Sequence, residues 1–367
     1  MDRDIKVGIT HGDVNGVSYE VIFKTLEKEG ITELFTPIVF GVPEIAEKAI
    51  EQFSLANLRL NVINDPKDAK SGKINLVALK TRPELHPGEI RMDAGDAAVE
   101  ALERGVEALK TGNIDVLVTA PISKEAVQSE NFRFPGHTEF LSERIGEGNE
   151  AMMILCDNSL RVGLLTTHLP LTSISANISE EKIIDYVKRF ALTLKKDFGI
   201  VRPTIAVLGL NPHAGDGGLL GEEEENIIIP AIDKLQEEGY LVFGPFPSDG
   251  FFGHGNYRNF DGVLAMYHDQ GLIPFKTLAT TGGVNFSACL PYVRTSPDHG
   301  TAFDIAWKGV AEPASMTDAI YMAIDIFRRR KSFEKASGNP LKKHVQERLE
   351  KNDRPQQKNI LNTDTDD

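Results

Sequence analysis

The chain has 367 residues, 41% of them apolar and 26% charged. That length accommodates two or three domains and a large core, and the mixture is that of a globular protein, which excludes a peptide hormone, wholesale disorder and a fibrous repeat. Lys and Arg number 40 against 54 Asp and Glu, a net charge of −14, so nucleic acid and anionic membrane surfaces are not expected as partners, and an anionic small substrate needs a local cluster of cations.

In chain order, short runs rich in β-branched residues predict strands at Lys6–Thr10, Thr36–Phe40, Lys73–Val77, Val116–Thr119, Ala151–Leu155, Leu160–Thr166, Thr204–Leu210 and Gly262–Tyr267. Apolar residues spaced at three and four predict helices over Ala94–Thr111 and Glu181–Phe198. The alternation is that of an α/β protein with a mostly parallel sheet. The acidic run Glu222–Glu225 reads as a helix start rather than a metal cluster, because carboxylates favour the positive end of the backbone dipole. By the same rule Arg328–Lys331 closes a helix that begins near Thr317, and a further short helix is expected over residues 301–309, which His299, Gly300 and Thr301 would cap. Cys156 and Cys289 lie in apolar surroundings far apart, and read as reduced residues of a cytoplasmic protein. The charged start Met1–Lys6 is unlike a signal peptide, no apolar run approaches a membrane span, and residues 336–367 read as a polar tail.

Three of the nine histidines share one context. His168, His213 and His268 each follow a predicted strand, and in open α/β sheets the carboxyl ends of strands line the ligand crevice. Three imidazoles on one divalent ion leave coordination positions open, as in a catalytic site. Asp269, beside His268, is placed to hold an imidazole tautomer. A second set is suited to an anion: His137 and Thr138 after Gly136, where a helix beginning at Glu139 adds backbone donors, and Lys276, Asn285 and Arg294 in segments too rich in Gly, Pro and Thr for ordinary helix surface. The letters of Gly146–Ala151 fit a dinucleotide fingerprint, but they follow a helix and precede a strand, the reverse of the required order, so they read as a loop. The chain contains neither a Walker A sequence nor a nucleophile elbow.

The segments FPGHTEFL, TTHLPL, LNPHAGDGG, AMYHDQGLIPFK and RTSPDHGTAFDIA, in this order between about Lys6 and Arg330, resemble the 4-hydroxythreonine-4-phosphate dehydrogenase family of vitamin B6 synthesis. The resemblance implies a two-subdomain α/β/α fold similar to isocitrate and isopropylmalate dehydrogenases, with residues 1–130 and 275–335 in one subdomain and 131–274 in the other. It implies a homodimer whose active site takes residues from both subunits, and a nicotinamide cofactor, NAD or NADP, held without the usual glycine fingerprint. It makes His168, His213 and His268 ligands of a divalent metal (zinc, magnesium or cobalt) and His137, Thr138, Lys276, Asn285 and Arg294 substrate contacts, with Asp249 and Asp269 as supporting acids.

The implied reaction is oxidation of 4-phosphohydroxy-L-threonine to a 3-oxo acid, which loses its carboxylate to give 3-amino-2-oxopropyl phosphate. Asp249, Asp269 and a metal-bound water are the candidate proton acceptors. Two segments depart from the family pattern: Thr10–Glu20, where a proline-bearing GDPxGxGPE is usual, and Pro247–Phe251. A sister group acts on phosphorylated four-carbon sugar acids such as 4-phosphoerythronate. From other classes, a metal-dependent phosphatase or hydrolase and a catalytically silent scaffold are the rival readings of the same residues.

Overall fold

The structure is a computed structural model describing residues 4–128, 132–134, 136–279 and 282–338. Its backbone is one twelve-stranded sheet: β1 (Lys6–Thr10), β2 (Thr36–Gly41), β3 (Leu60–Ile63), β4 (Ile74–Ala78), β5 (Val116–Thr119), β6 (Met152–Cys156), β7 (Arg161–Leu164), β8 (Thr204–Leu208), β9 (Leu241–Phe246), β10 (Gly262–Ala265), β11 (Val284–Ala288) and β12 (Arg294–Pro297). They lie in the order β3-β4-β2-β1-β5-β12-β11-β6-β7-β10-β8-β9. Strands from the first third of the chain thus occupy one half and β6–β10 the other, with β11 and β12 inserted between them. Pairing is parallel except around β11 and β6, where β12, β11, β6 and β7 run alternately antiparallel.

All eight predicted strands form, with ends shifted by at most two residues. Four further strands, β3, β9, β11 and β12, were not evident from apolar alternation, because β3 is a half-buried edge and the others carry Gly, Pro, Asn or Arg. The predicted helices are present over Met92–Lys110 and over Glu180–Lys196, which Ser179 caps by accepting from the Lys182 N–H at 3.3 Å.

Helices cover both faces of the sheet, and glycines allow the approach. In the first half, a Cβ on Gly105 would lie 3.0 Å from both the Leu117 and the Thr10 side chains, so the helix over Met92–Lys110 packs on the face carrying those residues. The helix over Ala314–Ser337 takes the opposite face, where its Ala319 carbonyl accepts from Thr295 Oγ1 at 2.7 Å. In the second half Gly163 meets the Tyr186 ring of the helix over Glu180–Lys196, while Val162 and Leu164, which point the other way, meet Gly271 of the helix over His268–Leu278.

Three local expectations are corrected. No regular helix forms over residues 301–309, since Ala302 (φ 45°) and Trp307 (φ 60°) adopt left-handed backbone that an α-helix does not hold. Instead, the Trp307 indole donates to the Val14 carbonyl at 2.8 Å and pins this turn to the Thr10–Glu20 segment. The last helix starts at Ala314 and runs past Arg328–Lys331 to Ser337, because Arg330 does not cap it but turns inward to a buried ion pair with Asp197 at 2.6 Å. Lys276 stands on a helix rather than in a loop. Cys156 is buried, Cys289 half-buried, and both are free thiols. Pro135 and the tail beyond Gly338 lie outside the described residues. Among the described residues no helix is long and apolar enough to cross a membrane.

Candidate active site

Where the two halves of the sheet meet, the register puts polar side chains on one face. Asn285 and Ser287 alternate on β11, Arg294 and Ser296 on β12, and Thr119 ends β5. The pairings Asn285↔Ser296, Asn285↔Leu155 and Arg294↔Leu117 align them on the same side. That face floors a cleft of about 270 Å³. Its walls come from the loop after β5 (Lys124), the start of the helix over His137–Ile145, His168 after β7, and the helix over His268–Leu278 with Lys276. Of the ten residues singled out from the sequence, seven line this one cleft: His137, Thr138, His168, His268, Lys276, Asn285 and Arg294. His213, Asp249 and Asp269 do not line it.

Arg294 is 1% exposed. Its guanidinium donates to Thr119 Oγ1 from Nε at 3.1 Å and Nη2 at 2.5 Å, and to Ser287 Oγ from Nη1 at 3.0 Å. No carboxylate pairs with it among the described residues, and burial pushes its pKa down to about 9. Beside it, His137 Nε2 and Asn285 Oδ1 are sealed from solvent with no hydrogen-bond partner. Although His137 as a residue keeps some exposure, the burial of its ring and the nearby cations Arg294 and Lys124 hold it well below the ordinary imidazole range, hence neutral. A buried cation with no ion pair, attracted only at longer range by Glu139 of the same cleft, and orphaned polar atoms around it form a site suited to an anion. The helix begins at His137, two residues earlier than expected, and its N-terminus adds further positive potential.

At the other end, β7, β10 and β8 are adjacent parallel strands, so the three histidines leave the sheet along one edge. The His168 and His268 rings stand 6.1 Å apart. Two imidazoles sharing an ion at about 2.1 Å have centroids about 5–6.5 Å apart, so this pair suits a common metal. The Asp269 carboxylate accepts from His268 Nδ1 at 2.7 Å, which leaves Nε2 as the ring nitrogen available to an ion. Partial burial and Lys124 lower the His168 pKa and favour the neutral, ligating form. His213 does not join them within the chain. The loop over Pro212–Gly215 turns through left-handed backbone at His213 (φ 53°), Ala214 (φ 53°), Gly215 (φ 84°) and Asp216 (φ 46°), and the imidazole is exposed. Three non-glycine residues in that region cost about 1–2 kcal/mol each. Among the described residues no three ligating side chains converge on one point. Asp249, on the short helix over Ser248–Gly253, is likewise exposed outside the cleft.

Lys124 and His299 also line the cleft and are not among the sequence-based candidates for the site. Lys124 follows β5 by five residues, so the strand-end argument that found the histidines applies to it too. His299 was read as a helix cap, but its Nε2 is buried and unpartnered, and together with Asp298 it forms a wall shared with a second cavity of about 290 Å³. Gly146–Asn149 is a loop between a helix and β6, as expected.

The family model of the pyridoxal phosphate biosynthetic protein PdxA matches residues 33–323. The chain belongs to the PdxA family. A 4-hydroxythreonine-4-phosphate dehydrogenase of Bacteroides thetaiotaomicron is 50% identical over 366 residues, covering 96% of this chain and 97% of that protein. A D-threonate 4-phosphate dehydrogenase of Cupriavidus necator is 40% identical over 88% of this chain and 98% of its own length. Among solved structures, the 4-hydroxythreonine-4-phosphate dehydrogenase of Klebsiella pneumoniae superimposes with a TM-score of 0.76 at 35% identity, covering 88% of this chain and 98% of that one. The cleft described here therefore lies in a PdxA fold, and the departures at Thr10–Glu20 and Pro247–Phe251 fall outside its lining.

Proposed function

We propose that this PdxA-family protein oxidises 4-phosphohydroxy-L-threonine with NAD or NADP to a 3-oxo acid that decarboxylates to 3-amino-2-oxopropyl phosphate. The observation that carries this reading is the buried guanidinium of Arg294, which forms no ion pair among the described residues although Glu139 lines the same cleft, flanked by the orphaned His137 Nε2 and Asn285 Oδ1 and sharing the cleft with the paired imidazoles. Arg294 binds the phosphate as a fork, Lys276 as a point charge, and Thr138 and Asn285 add hydrogen bonds. His137, held neutral, contacts the phosphate through its free Nε2. Lys124 supplies a further cation in the same cleft for the substrate's carboxylate. Remote binding of the phosphate orients the reacting carbon near the histidine pair, and that binding energy is realised as positioning.

His168 and His268 would hold the divalent ion, with Asp269 fixing the ring of His268. When bound there, the ion makes the substrate hydroxyl easier to deprotonate. The third imidazole is His213 of a second copy of the chain: it is exposed, on the loop beside the other two, and turned away from its own cleft. This makes the working form a homodimer with a shared site. The second cavity, which meets the substrate cleft at His299 and Asp298, is proposed to receive the nicotinamide cofactor. The division into subdomains 1–130 with 275–335 and 131–274, and a cytoplasmic location, belong to the same reading.

A second reading has a specific observation in its favour. Relatives named D-threonate 4-phosphate dehydrogenase are about as similar as several named 4-hydroxythreonine-4-phosphate dehydrogenase, at 40% identity in both cases. Formation of NADH or NADPH with 4-phosphohydroxythreonine, D-threonate 4-phosphate and 4-phosphoerythronate, assayed side by side with zinc, decides between them. Phosphate release without reduced cofactor would instead point to a hydrolase.

A further inference from the structure

Of the four carboxylates Glu222–Glu225, Glu224 and Glu225 open a π-helical turn over Glu224–Ile228 that runs into the helix over Ile229–Glu237, and Glu223 and Glu224 bond to other segments. We infer that Glu223 and Glu224 are positioning residues: they clamp the loop that carries His213 to the loop that follows His168. The inference rests on the proposed use of His213 as a metal ligand.

Glu224 is 1% exposed. Its Oε1 accepts from the backbone N–H groups of Leu210 and Asn211, both at 2.7 Å, and its Oε2 accepts from Asn211 Nδ2 at 2.9 Å. Glu223 Oε2 accepts from the same Nδ2 at 2.7 Å, and its other oxygen accepts from Ser175 Oγ at 2.6 Å. Ser175 lies on the segment that continues from His168 through Pro170, and Asn211 opens the turn over Pro212–Gly215 that carries His213. One pair of adjacent carboxylates therefore holds both loops.

The packing around this clamp leaves it little freedom. A Cβ on Gly215 would lie 2.8 Å from Glu224 Oε2, and one on Gly209 would lie 3.1 Å from Oε1. A Cβ on Gly221 would meet Asn211 Nδ2 at 2.3 Å. Immediately past the clamped amides, His213, Ala214 and Asp216 adopt left-handed backbone. Such a run persists only where the surroundings over-determine it. Two amides and one side-chain amide, all donors converging on one carboxylate, provide that constraint and hold the imidazole outward. A glutamine at 224 keeps the size but offers a single acceptor oxygen, and its NH2 faces donors.

The test uses the full chain in its native oligomer, with zinc affinity measured by chelator competition and cobalt(II) absorption as a signature of the ligand set. Glu224→Gln is expected to weaken zinc binding about 10–100-fold, as loss of a group that orients a ligand does, to alter the cobalt spectrum, and to leave inorganic phosphate affinity within twofold. A merely structural role would move both affinities together, and that result overturns the inference. His213→Ala serves as the reference. Full zinc affinity in His213→Ala overturns the ligand assignment and the inference with it. Loss in His213→Ala beside unchanged affinity in Glu224→Gln overturns the inference alone. Should Glu224→Gln fail to fold, Glu223→Gln, which removes only the outer bonds, decides: a weakening of threefold or more supports the clamp, and no change overturns it.

Discussion

Replacing Arg294 with methionine should leave the stability of the ligand-free protein nearly unchanged while nearly abolishing use of a phosphorylated substrate. Burial lowers the guanidinium pKa from 12.5 to about 9, and at about 1.4 kcal/mol per pH unit the buried cation costs the fold on the order of 5 kcal/mol. Because the folded value is depressed for a base, that cost is present in full below about pH 9 and fades only as pH climbs from 9 toward 12.5, so an experiment at pH 7 sees all of it. Methionine fills similar space without charge but forfeits three hydrogen bonds from the charged guanidinium to Thr119 and Ser287, about 1.5 kcal/mol or more each. The two terms nearly cancel, so Tm should stay within about 3 °C of wild type for a chain of this size. Against this, one fork of charge-assisted bonds to phosphate is lost, about 3–6 kcal/mol, which raises KM about 100- to 10,000-fold. Scanning calorimetry with and without inorganic phosphate, beside steady-state kinetics, reads both effects. Wild type should gain stability from phosphate and Arg294→Met should not. A variant with lowered Tm, unchanged KM and retained stabilisation by phosphate would refute the reasoning, since Arg294 would then be a structural cation.

His268→Ala should lose most bound zinc and nearly all turnover with an unchanged far-ultraviolet spectrum, whereas Asp269→Asn, which only loosens the ring, should cost about 10–100-fold in zinc affinity; metal analysis after dialysis separates the two. Gly95→Ala should destabilise by about 3 kcal/mol or more, because its Cβ would fall 1.9 Å from the Ala126 carbonyl oxygen, and a Tm equal to wild type would show that the helix over Met92–Lys110 can shift freely. Burial raises the Asp13 pKa from 3.8 to about 6, so this acid takes up a proton on folding in that range and its contribution to stability falls as pH rises from about 4 to 6. Asp13→Asn removes the term, and urea unfolding should show the variant gaining on wild type by on the order of 3 kcal/mol across that window; a pH-independent difference would place the carboxyl in water. Lys124→Met should raise KM for a substrate bearing a carboxylate while leaving inorganic phosphate affinity unchanged, measured by calorimetric titration.

The parallel strands were legible because strands buried on both faces are continuous β-branched runs, as in Val116–Thr119 and Thr204–Leu208. The antiparallel pair β11 and β12 was not, because its residues Asn285, Ser287, Arg294 and Ser296 are polar on the face that floors the cleft, and that pattern reads as loop in isolation. The same polarity is what made Asn285 and Arg294 visible as anion donors. Lys276 was picked out despite the wrong local structure, since Pro274 within its helix hides the helical pattern from sequence inspection. The acidic run Glu222–Glu225 is legible as a helix start through the backbone dipole, a local effect. Its stronger partners, Ser175 and Asn211, are distant in sequence.

Sequence alone determined which residue types are available and at which strand ends they emerge. Periodicity and strand composition are local, and the rule that ligands bind past the carboxyl ends of strands carries His168, His213 and His268 toward one region without coordinates. Only the tertiary structure decided which of them share a cavity and in what charge state. The Arg294 guanidinium is buried because β5, β11 and β12 meet around it, and the left-handed turn at His213 follows two backbone amides gathered by Glu224. Burial and non-local hydrogen bonds set both outcomes, and they depend on groups far apart along the chain.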